Sequence, residues 1–157
     1  MTYDKRPPSG GPRGSERAAP APVVSIDTAP VKLGADMPEL LFADIAQAAA
    51  RTIAEAGAGK TNKSSQLRKF YDELVMWHDK LAFEKTADAR AAKYRELAPF
   101  IKMMNAKVAY ARGRGHVDQN FEQLFSHLIR QIACPATLKN AKLFMEAVLG
   151  FLKAEEK

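Results

Sequence analysis

Hydrophobic residues recur every three or four positions over most of the chain after residue 36. Two series are especially regular. The first consists of Leu67, Phe70, Leu74, Trp77 and Leu81, and the second of Leu97, Ile101, Met104, Val108 and Ala111. This spacing matches the period of an α-helix and places the apolar side chains on one face. The pattern therefore predicts amphipathic helices that bury these faces against one another.

Glycines, prolines and capping residues divide the pattern into about five helices. The first is expected from Asp36 to about Gly57 and the second from about Ser64, with Asp36 and Ser64 as N-caps. The others are expected at about 88–112, 118–133 and 135–154. Pro99 lies inside the third and predicts either a kink or two abutting helices. Since no segment shows strand alternation with turn chemistry, the predicted fold is all-α, a small helical bundle.

The first 35 residues have a different composition. They are rich in Pro, Gly, Ser and Ala, as in the run Pro7-Pro8-Ser9-Gly10-Gly11-Pro12, and they lack helical periodicity. Such a segment buries too little apolar surface to offset the entropy lost on ordering. The predicted organisation is a disordered tail over residues 1–35 and a helical bundle domain over residues 36–157.

Length and cysteine content narrow the class of protein. At 157 residues and 46% hydrophobic content, the chain has the size and composition of one globular domain. Its one cysteine cannot form an intrachain disulfide, which fits a reducing cytoplasm. No apolar run approaches the ~20 residues that span a bilayer, and no secretory signal is visible. We expect a cytoplasmic protein without a membrane partner.

Positive charge is concentrated in one stretch of the chain. Residues Lys60–Gly115 contain 13 Lys and Arg against 6 Asp and Glu, a local net charge of +7 in a chain whose total is +6. All other residues together therefore carry a slight negative excess. A basic region of this kind indicates an acidic partner, of which nucleic acid is the leading candidate.

Five cations in this stretch are the candidate phosphate ligands. Arg68 and Lys69 lie in the first turns of a predicted helix, where the helix dipole disfavours positive charge, and a phosphate partner would explain them. Lys107, Arg112 and Arg114 crowd the end of the third predicted helix, around Tyr110. Lys and Arg supply charge, and Tyr supplies a hydroxyl or a stacking face. The alternative interpretation of Lys107, Arg112 and Arg114 is a solvated helix end, where cations interact favourably with the helix dipole.

Catalytic and cofactor motifs do not stand out. Residues Ala56–Thr61 resemble a phosphate-binding loop, but Ala54 stands where that loop requires Gly, and a helix instead of a strand precedes it. We interpret this segment as a flexible helix connection. His78, His116 and His127 lack metal-ligand spacing and are expected at the surface or its edge, and Cys134 is expected to be a small buried hydrophobe. The sequence thus predicts no enzyme, cofactor or metal.

Three blocks of sequence resemble the Csm small-subunit family of type III-A CRISPR effector complexes. The block Ser65–Leu74 resembles the opening helix motif of that family, and Met103–Arg114 resembles its central Lys-x-Ala-Tyr-Ala-x-x-Arg signature. The block Leu138–Leu149 resembles its C-terminal helix. The three blocks occur in the family's order and extend over about residues 61–153.

The resemblance implies a small helical protein without catalysis of its own. Several copies of such a subunit line the complex beside the backbone subunit, along the guide–target RNA duplex. RNA cleavage belongs to the backbone subunit, and DNA cleavage and cyclic-oligonucleotide synthesis belong to the large subunit. The implied partners are guide RNA, target RNA, the other Csm subunits and further copies of the chain. The family carries basic residues that face nucleic acid. We assign that role to Arg68, Lys69, Lys107, Arg112 and Arg114 from motif position and charge.

Two other functions compete with this interpretation. A free-standing nucleic-acid-binding regulator would need a recognition helix with base-reading residues, and the sequence offers no clear one. A protein scaffold would use the same basic face to bind an acidic protein partner. Tagged purification would discriminate among the three, because only the first function predicts co-purification of guide RNA and backbone subunits.

Overall fold

In the computed structural model, which describes residues 23–156, six α-helices follow a π-helical turn at Leu41–Ile45. The helices are α1 (Ala46–Gly57), α2 (Ser64–Ala82), α3 (Ala87–Lys102), α4 (Met104–Gly113), α5 (Gln119–Gln131) and α6 (Pro135–Glu155). Residues 23–156 contain no strand, and the predicted all-α fold is confirmed. The part of the predicted disordered tail at residues 1–22 lies outside the described residues.

The last two predicted helices agree closely with α5 and α6. Asp118 is the N-cap of α5, and its Oδ1 accepts a hydrogen bond from the Phe121 N–H at 3.0 Å. The predicted Ser64 cap of α2 is wrong. Ser64 is the first helical residue, and its N–H donates at 3.3 Å to Oε1 of Glu156, beyond the end of α6. A carboxylate from a distant part of the chain therefore takes the place expected for a local cap.

The predicted start of the first helix at Asp36 is also wrong. Met37 N–H donates to the Gly34 carbonyl in a turn, and the Asp36 carboxylate lies 3.7 Å from Lys32 Nζ instead of capping a helix. Regular α-helix begins only at Ala46, after the π-helical turn. The side chain expected to cap the helix is thus paired within its own turn, which leaves no N-cap at this position.

The third predicted helix is divided into two. Met103 separates α3 from α4, four residues after Pro99. Proline lacks an N–H and its ring crowds the preceding turn, so a helix that contains it is prone to bend or break nearby. Of the two predicted alternatives, the structure shows abutting helices.

Residues 26–33, which the sequence assigned to the tail, instead pack on the domain as an N-terminal strap. The side chains of Ile26, Val31 and Leu33 are buried in the core. The strap runs across α5 and α6 and is held by side chains of both helices. Its bonds are Ile26 N–H to Asn120 Oδ1 at 2.8 Å, Leu33 N–H to Gln131 Oε1 at 2.9 Å, and Asn140 Nδ2 to the Leu33 carbonyl at 2.8 Å. Composition missed the strap because these partners lie about 100 positions away in sequence.

The core forms where α6 packs against α1 and α2 and where α4 packs against α5. The predicted apolar series are confirmed: Leu67, Leu74 and Leu81 are buried, as are the second-series residues from Leu97 to Ala111. Phe70 joins this core from α2, with its ring 5.6 Å from Phe121 and 5.1 Å from Phe125. Aromatic rings at such distances add specific attraction to the area they bury.

One buried polar residue joins three segments of the domain. Asn62, in the α1–α2 connection, is 3% exposed and has a left-handed backbone with φ of 59°. Its Nδ2 donates to the Ile53 carbonyl at 3.1 Å and to Asp118 Oδ1 at 2.8 Å, and its Oδ1 accepts from the Asp118 N–H at 2.9 Å. The segment that resembles a phosphate-binding loop, Ala56–Thr61, is therefore followed directly by a residue anchored to α1 and to the start of α5.

Candidate nucleic-acid interface

Helix α4 presents a smooth outward face between two edges of positive charge. Met104, Val108 and Ala111 fill its buried side, so Ala106, Ala109 and Gly113 point to the exterior and are exposed. Lys107, Tyr110 and Arg114 follow one edge by helix spacing, and Lys107 contacts α2 from it. Arg112 lies on the other edge, where it contacts α5. We call these four residues and the three small ones the α4 surface. Its small side chains allow a bulky partner to approach the helix backbone.

Lys107 is paired with a carboxylate of α2. Its Nζ contacts Oε1 of Glu73, whose side chain is 20% exposed. The other oxygen, Oε2, is buried and has no hydrogen-bond partner. Glu73 therefore depends on Lys107 for its charge compensation, since an unpaired carboxylate shielded from water is costly. The pair also joins α4 to α2.

Arg112 has an equivalent relation to α5. Its Nε donates to the Glu122 carboxylate at 2.9 Å, and the Glu122 side chain is 22% exposed. Half of the Arg112 side chain remains open to solvent. A guanidinium carries five N–H donors, so this ion pair leaves donors free for a second acceptor.

Arg114 and Tyr110 form the most open part of the α4 surface. Tyr110 is 66% exposed, and the Arg114 guanidinium lies 5.9 Å from the centre of its ring. Arg114 Nη1 also lies 3.4 Å from the Tyr110 hydroxyl. Cation–π contact of this kind orders the guanidinium while leaving its charge exposed. Arg114 forms no ion pair with a carboxylate among residues 23–156.

Lys69 and Arg68 lie on different sides of α2. Lys69 precedes Glu73 by one turn, so helix geometry places it on the side of α2 from which Glu73 contacts Lys107. Arg68 projects to another side, where it borders a pocket with Ser65 and α6 residues, and its Nε is 4.0 Å from Asp72. Of the five predicted ligands, Lys107, Arg112 and Arg114 belong to the α4 surface, Lys69 lies on the Glu73 side of α2, and Arg68 is separate.

Lys102, a sixth cation in this region, is structural. Its Nζ donates to the carbonyls of Ile129 at 2.7 Å and Ile132 at 2.5 Å, at the C-terminal end of α5. Tyr94 donates to the same Ile132 carbonyl at 3.1 Å. Burial lowers the pKa of the Lys102 ammonium below its ordinary value. The packing of α3 on α5 therefore separates Lys102 from the exposed lysines of the basic stretch.

A second exposed surface lies on the C-terminal half of α2 and is apolar. Phe83 is 84% exposed and Met76 is 41% exposed, and with Val75 they line an open groove. Asp72, Asp79 and Glu84 border the groove together with Lys80 and Lys93. Large apolar side chains collected in one exposed place are typical of protein contact sites.

Histidines and Cys134 do not assemble into a reactive centre within residues 23–156. No group of three or more His, Cys, Asp or Glu is placed there to hold a metal ion. His127 is half-buried and its Nε2 lies 2.7 Å from the Val31 carbonyl, which makes it a strap contact. Cys134 is half-buried, not buried as predicted, because it begins α6 beside Thr137. Burial raises the Cys134 thiol pKa, but hydrogen bonds from Thr137 and neighbouring N–H groups outweigh it and the net pKa is lowered.

The fold defines a small all-helical protein, and comparison with known families gives its place among such proteins. A family model described as Csm2 Type III-A matches residues 41–157. The chain therefore belongs to the Csm2 family, the small subunits of the type III-A CRISPR complex. This confirms the resemblance seen in the three sequence blocks, and it makes the chain a structural subunit of the Csm complex. Searches of curated proteins and of solved structures found no match. In residues 23–156, no helix is long and apolar enough to cross a membrane.

Proposed function

We propose that this subunit is non-catalytic and holds RNA in a cytoplasmic Csm complex through phosphate contacts on the α4 surface. The observation that carries the proposal is the arrangement of Lys107 and Arg114 along one edge of α4 and Arg112 along the other. A backbone that carries one negative charge per nucleotide matches cations on both sides of a smooth helix face, and Lys69 on α2 adds a further positive charge. The subunit needs no metal or other cofactor for this role.

Phosphate contacts suit a subunit that serves every guide sequence. Lys and Arg contacts to the backbone supply affinity without reading bases. Base pairing between guide and target then supplies all the specificity, as in other RNA-guided systems. The partners in this proposal are guide RNA, target RNA, the backbone and large subunits, and further copies of this chain, with no membrane.

Changing Lys107, Arg112 and Arg114 to Ala together is expected to weaken target-RNA binding by the assembled complex about tenfold or more at low salt. All RNA sequences should be affected alike, because phosphate contacts carry no sequence information. The slope of log affinity against log salt should fall by about 0.7 for each single-strand contact removed, or about 2 in total. Titrations of two unrelated RNAs at two salt concentrations measure both quantities.

A charge-matched control is the triple change of Lys32, Arg51 and Lys139 to Ala, which removes three exposed cations from the strap, α1 and α6. Normal assembly with unchanged affinity and slope in the α4 variant would refute the phosphate assignment. Assembly and far-ultraviolet circular dichroism are recorded for both variants, because the α4 changes also leave Glu73 and Glu122 without their partners.

A second candidate function is a protein contact through the α2 groove, favoured by the 84% exposure of Phe83. We propose that another protein subunit of the Csm complex covers this groove. Changing Phe83 to Ser is expected to leave the isolated fold intact, since the side chain contacts little of its own domain, but to reduce incorporation into the complex. Co-purification of the tagged variant with the other subunits measures this, and exposed Val23→Ser is the matched control. Full incorporation of the Phe83 variant would exclude the groove as an assembly contact.

A further inference from the structure

Two carboxylates on neighbouring helices contact cations of the α4 surface. Glu73 on α2 contacts Lys107, and Glu122 on α5 contacts Arg112 at 2.9 Å. Both acids are about one-fifth exposed, whereas Lys107 and Arg112 are each about half exposed. Each cation is therefore open to solvent on one side and paired with a carboxylate on the other.

A carboxylate and a phosphate present the same chemistry to these side chains. Each offers anionic oxygens that accept charge-assisted hydrogen bonds from ammonium and guanidinium groups. Glu73 and Glu122 are fixed on packed helices, so they need no ordering to occupy the cations. A phosphate that approaches Lys107 or Arg112 must displace the carboxylate or share the cation with it, and it is repelled by the negative charge that remains.

Two other cations are in a different state. Arg114 of the α4 surface and Lys69 of α2 form no ion pair with a carboxylate in the described part of the chain. The α4 surface thus combines one uncompensated cation with two compensated ones. Its attraction for RNA is weaker than a count of Lys and Arg suggests.

We propose that Glu73 and Glu122 set the RNA affinity of the α4 surface by competing with phosphate for Lys107 and Arg112. This inference rests on the proposed function and deepens it by naming the residues that limit binding. RNA binding exchanges internal ion pairs for phosphate contacts at these two positions. Lys107 and Arg112 both bind RNA only where a phosphate reaches each edge of α4 and replaces the carboxylate there.

The test replaces both acids with glutamine. Glutamine keeps the shape and one oxygen acceptor for the cation, and it removes the negative charge. The Glu73→Gln/Glu122→Gln protein is compared with the full-length wild type in fluorescence anisotropy titrations of a mixed-sequence single-stranded RNA at several salt concentrations. We expect about a fivefold to tenfold gain in affinity at low salt, and a salt slope steeper by up to about 0.7 for each cation released.

A matched control separates local competition from a change in net charge. The Asp36→Asn/Glu96→Gln protein also loses two carboxylates that pair with lysines, at 3.7 Å from Lys32 and 3.6 Å from Lys93. It should gain much less affinity, because neither acid contacts an α4 cation. An equal gain in the control would overturn the proposal. A loss of affinity in the Glu73/Glu122 variant would also overturn it, since the acids would then be positioning the cations for phosphate.

The same titrations distinguish this inference from the proposed function. If the Lys107/Arg112/Arg114 variant loses affinity but the Glu73/Glu122 variant gains none, only the competition is wrong. If the Lys107/Arg112/Arg114 variant binds as well as the wild type, the α4 surface is not the RNA site and both proposals fail. The single Glu122→Gln protein repeats the test at the Arg112 pair, in which both carboxylate oxygens lie close to the guanidinium. The proposal therefore does not depend on whether the fold tolerates a change at Glu73.

Discussion

Changing Val31 and Leu33 together to Ala is expected to lower the free energy of unfolding by about 4 kcal/mol. Both side chains are fully buried in the strap, between residues of α5 and α6. Their truncation removes apolar contact and leaves cavities that a segment held at both ends cannot easily close. Equilibrium unfolding in urea, followed by circular dichroism, measures the change.

The control for this variant is Val23→Ala, because Val23 precedes the strap and is exposed. It should change stability by no more than about 0.5 kcal/mol. Hydrogen exchange adds an independent measurement, since the Leu33 N–H donates to Gln131 Oε1 at 2.9 Å and should be protected only while the strap is docked. A loss below about 1 kcal/mol together with rapid exchange at Leu33 would show that the strap is not docked in solution.

Changing Asn62 to Ala is expected to lower the free energy of unfolding by about 3 kcal/mol. The change removes two donors and one acceptor, and it leaves the Ile53 carbonyl and the Asp118 N–H buried without those partners. It also places Ala in a left-handed conformation, which Asn tolerates better and which costs Ala about 1 kcal/mol. Thermal or urea unfolding measures the combined effect.

A comparison of Asn62→Ala with Asn62→Gly separates the two contributions. Glycine adopts a left-handed backbone freely, so Asn62→Gly should lose the hydrogen bonds without the backbone strain. Its native conformation should be destabilised by about 1 kcal/mol less than that of Asn62→Ala. Equal stability of Asn62→Ala and the wild type would contradict the proposed role of this residue. A large loss in Asn62→Ala that Gly fully restores would mean that backbone conformation alone matters there.

The cost of Asn62→Ala should also depend on pH. Burial raises the pKa of the Asp118 carboxyl, but hydrogen bonds from Asn120, Asn62 and backbone N–H groups outweigh it, and the net pKa lies below the ordinary value of 3.8. A lowered carboxyl pKa stabilises the fold above the unfolded-state pKa, and this stabilisation is lost as the pH falls through the folded-state pKa. The destabilisation by Asn62→Ala should therefore be larger at pH 7 than in strong acid, where Asp118 is protonated.

Local pattern accounts for what the sequence predicted correctly. The periodic apolar positions of α2 through α6 are properties of adjacent turns, and most of the residues they assigned to the interior are buried. The start of α5 beside Asp118 and of α6 at Pro135 follows from short-range capping chemistry. The family resemblance likewise rested on short ordered blocks, and the match over residues 41–157 confirms it.

The predictions that were wrong share a different cause. Residues 26–33 look like tail because they lack helical periodicity and continue a segment rich in Pro, Gly, Ser and Ala, yet Asn120, Gln131 and Asn140 hydrogen-bond to their backbone. The Asp36 and Ser64 caps were inferred from residue type. Asp36 instead lies in a turn, and the Ser64 N–H donates to Glu156. Composition and spacing carry no information about a partner nearly 100 residues away.

The sequence by itself determined that this chain is a helical, basic protein of the Csm small-subunit type, because helix period, charge and short motifs are local properties. Only the tertiary structure decided which cations form a surface. It placed Arg68 beside α6 residues, bound the Lys102 ammonium to carbonyls at the end of α5, and placed Glu73 and Glu122 on Lys107 and Arg112. These outcomes depend on how α2, α4 and α5 pack, since a side chain's charge is fixed by its chemistry but its partners are fixed by the neighbouring helices.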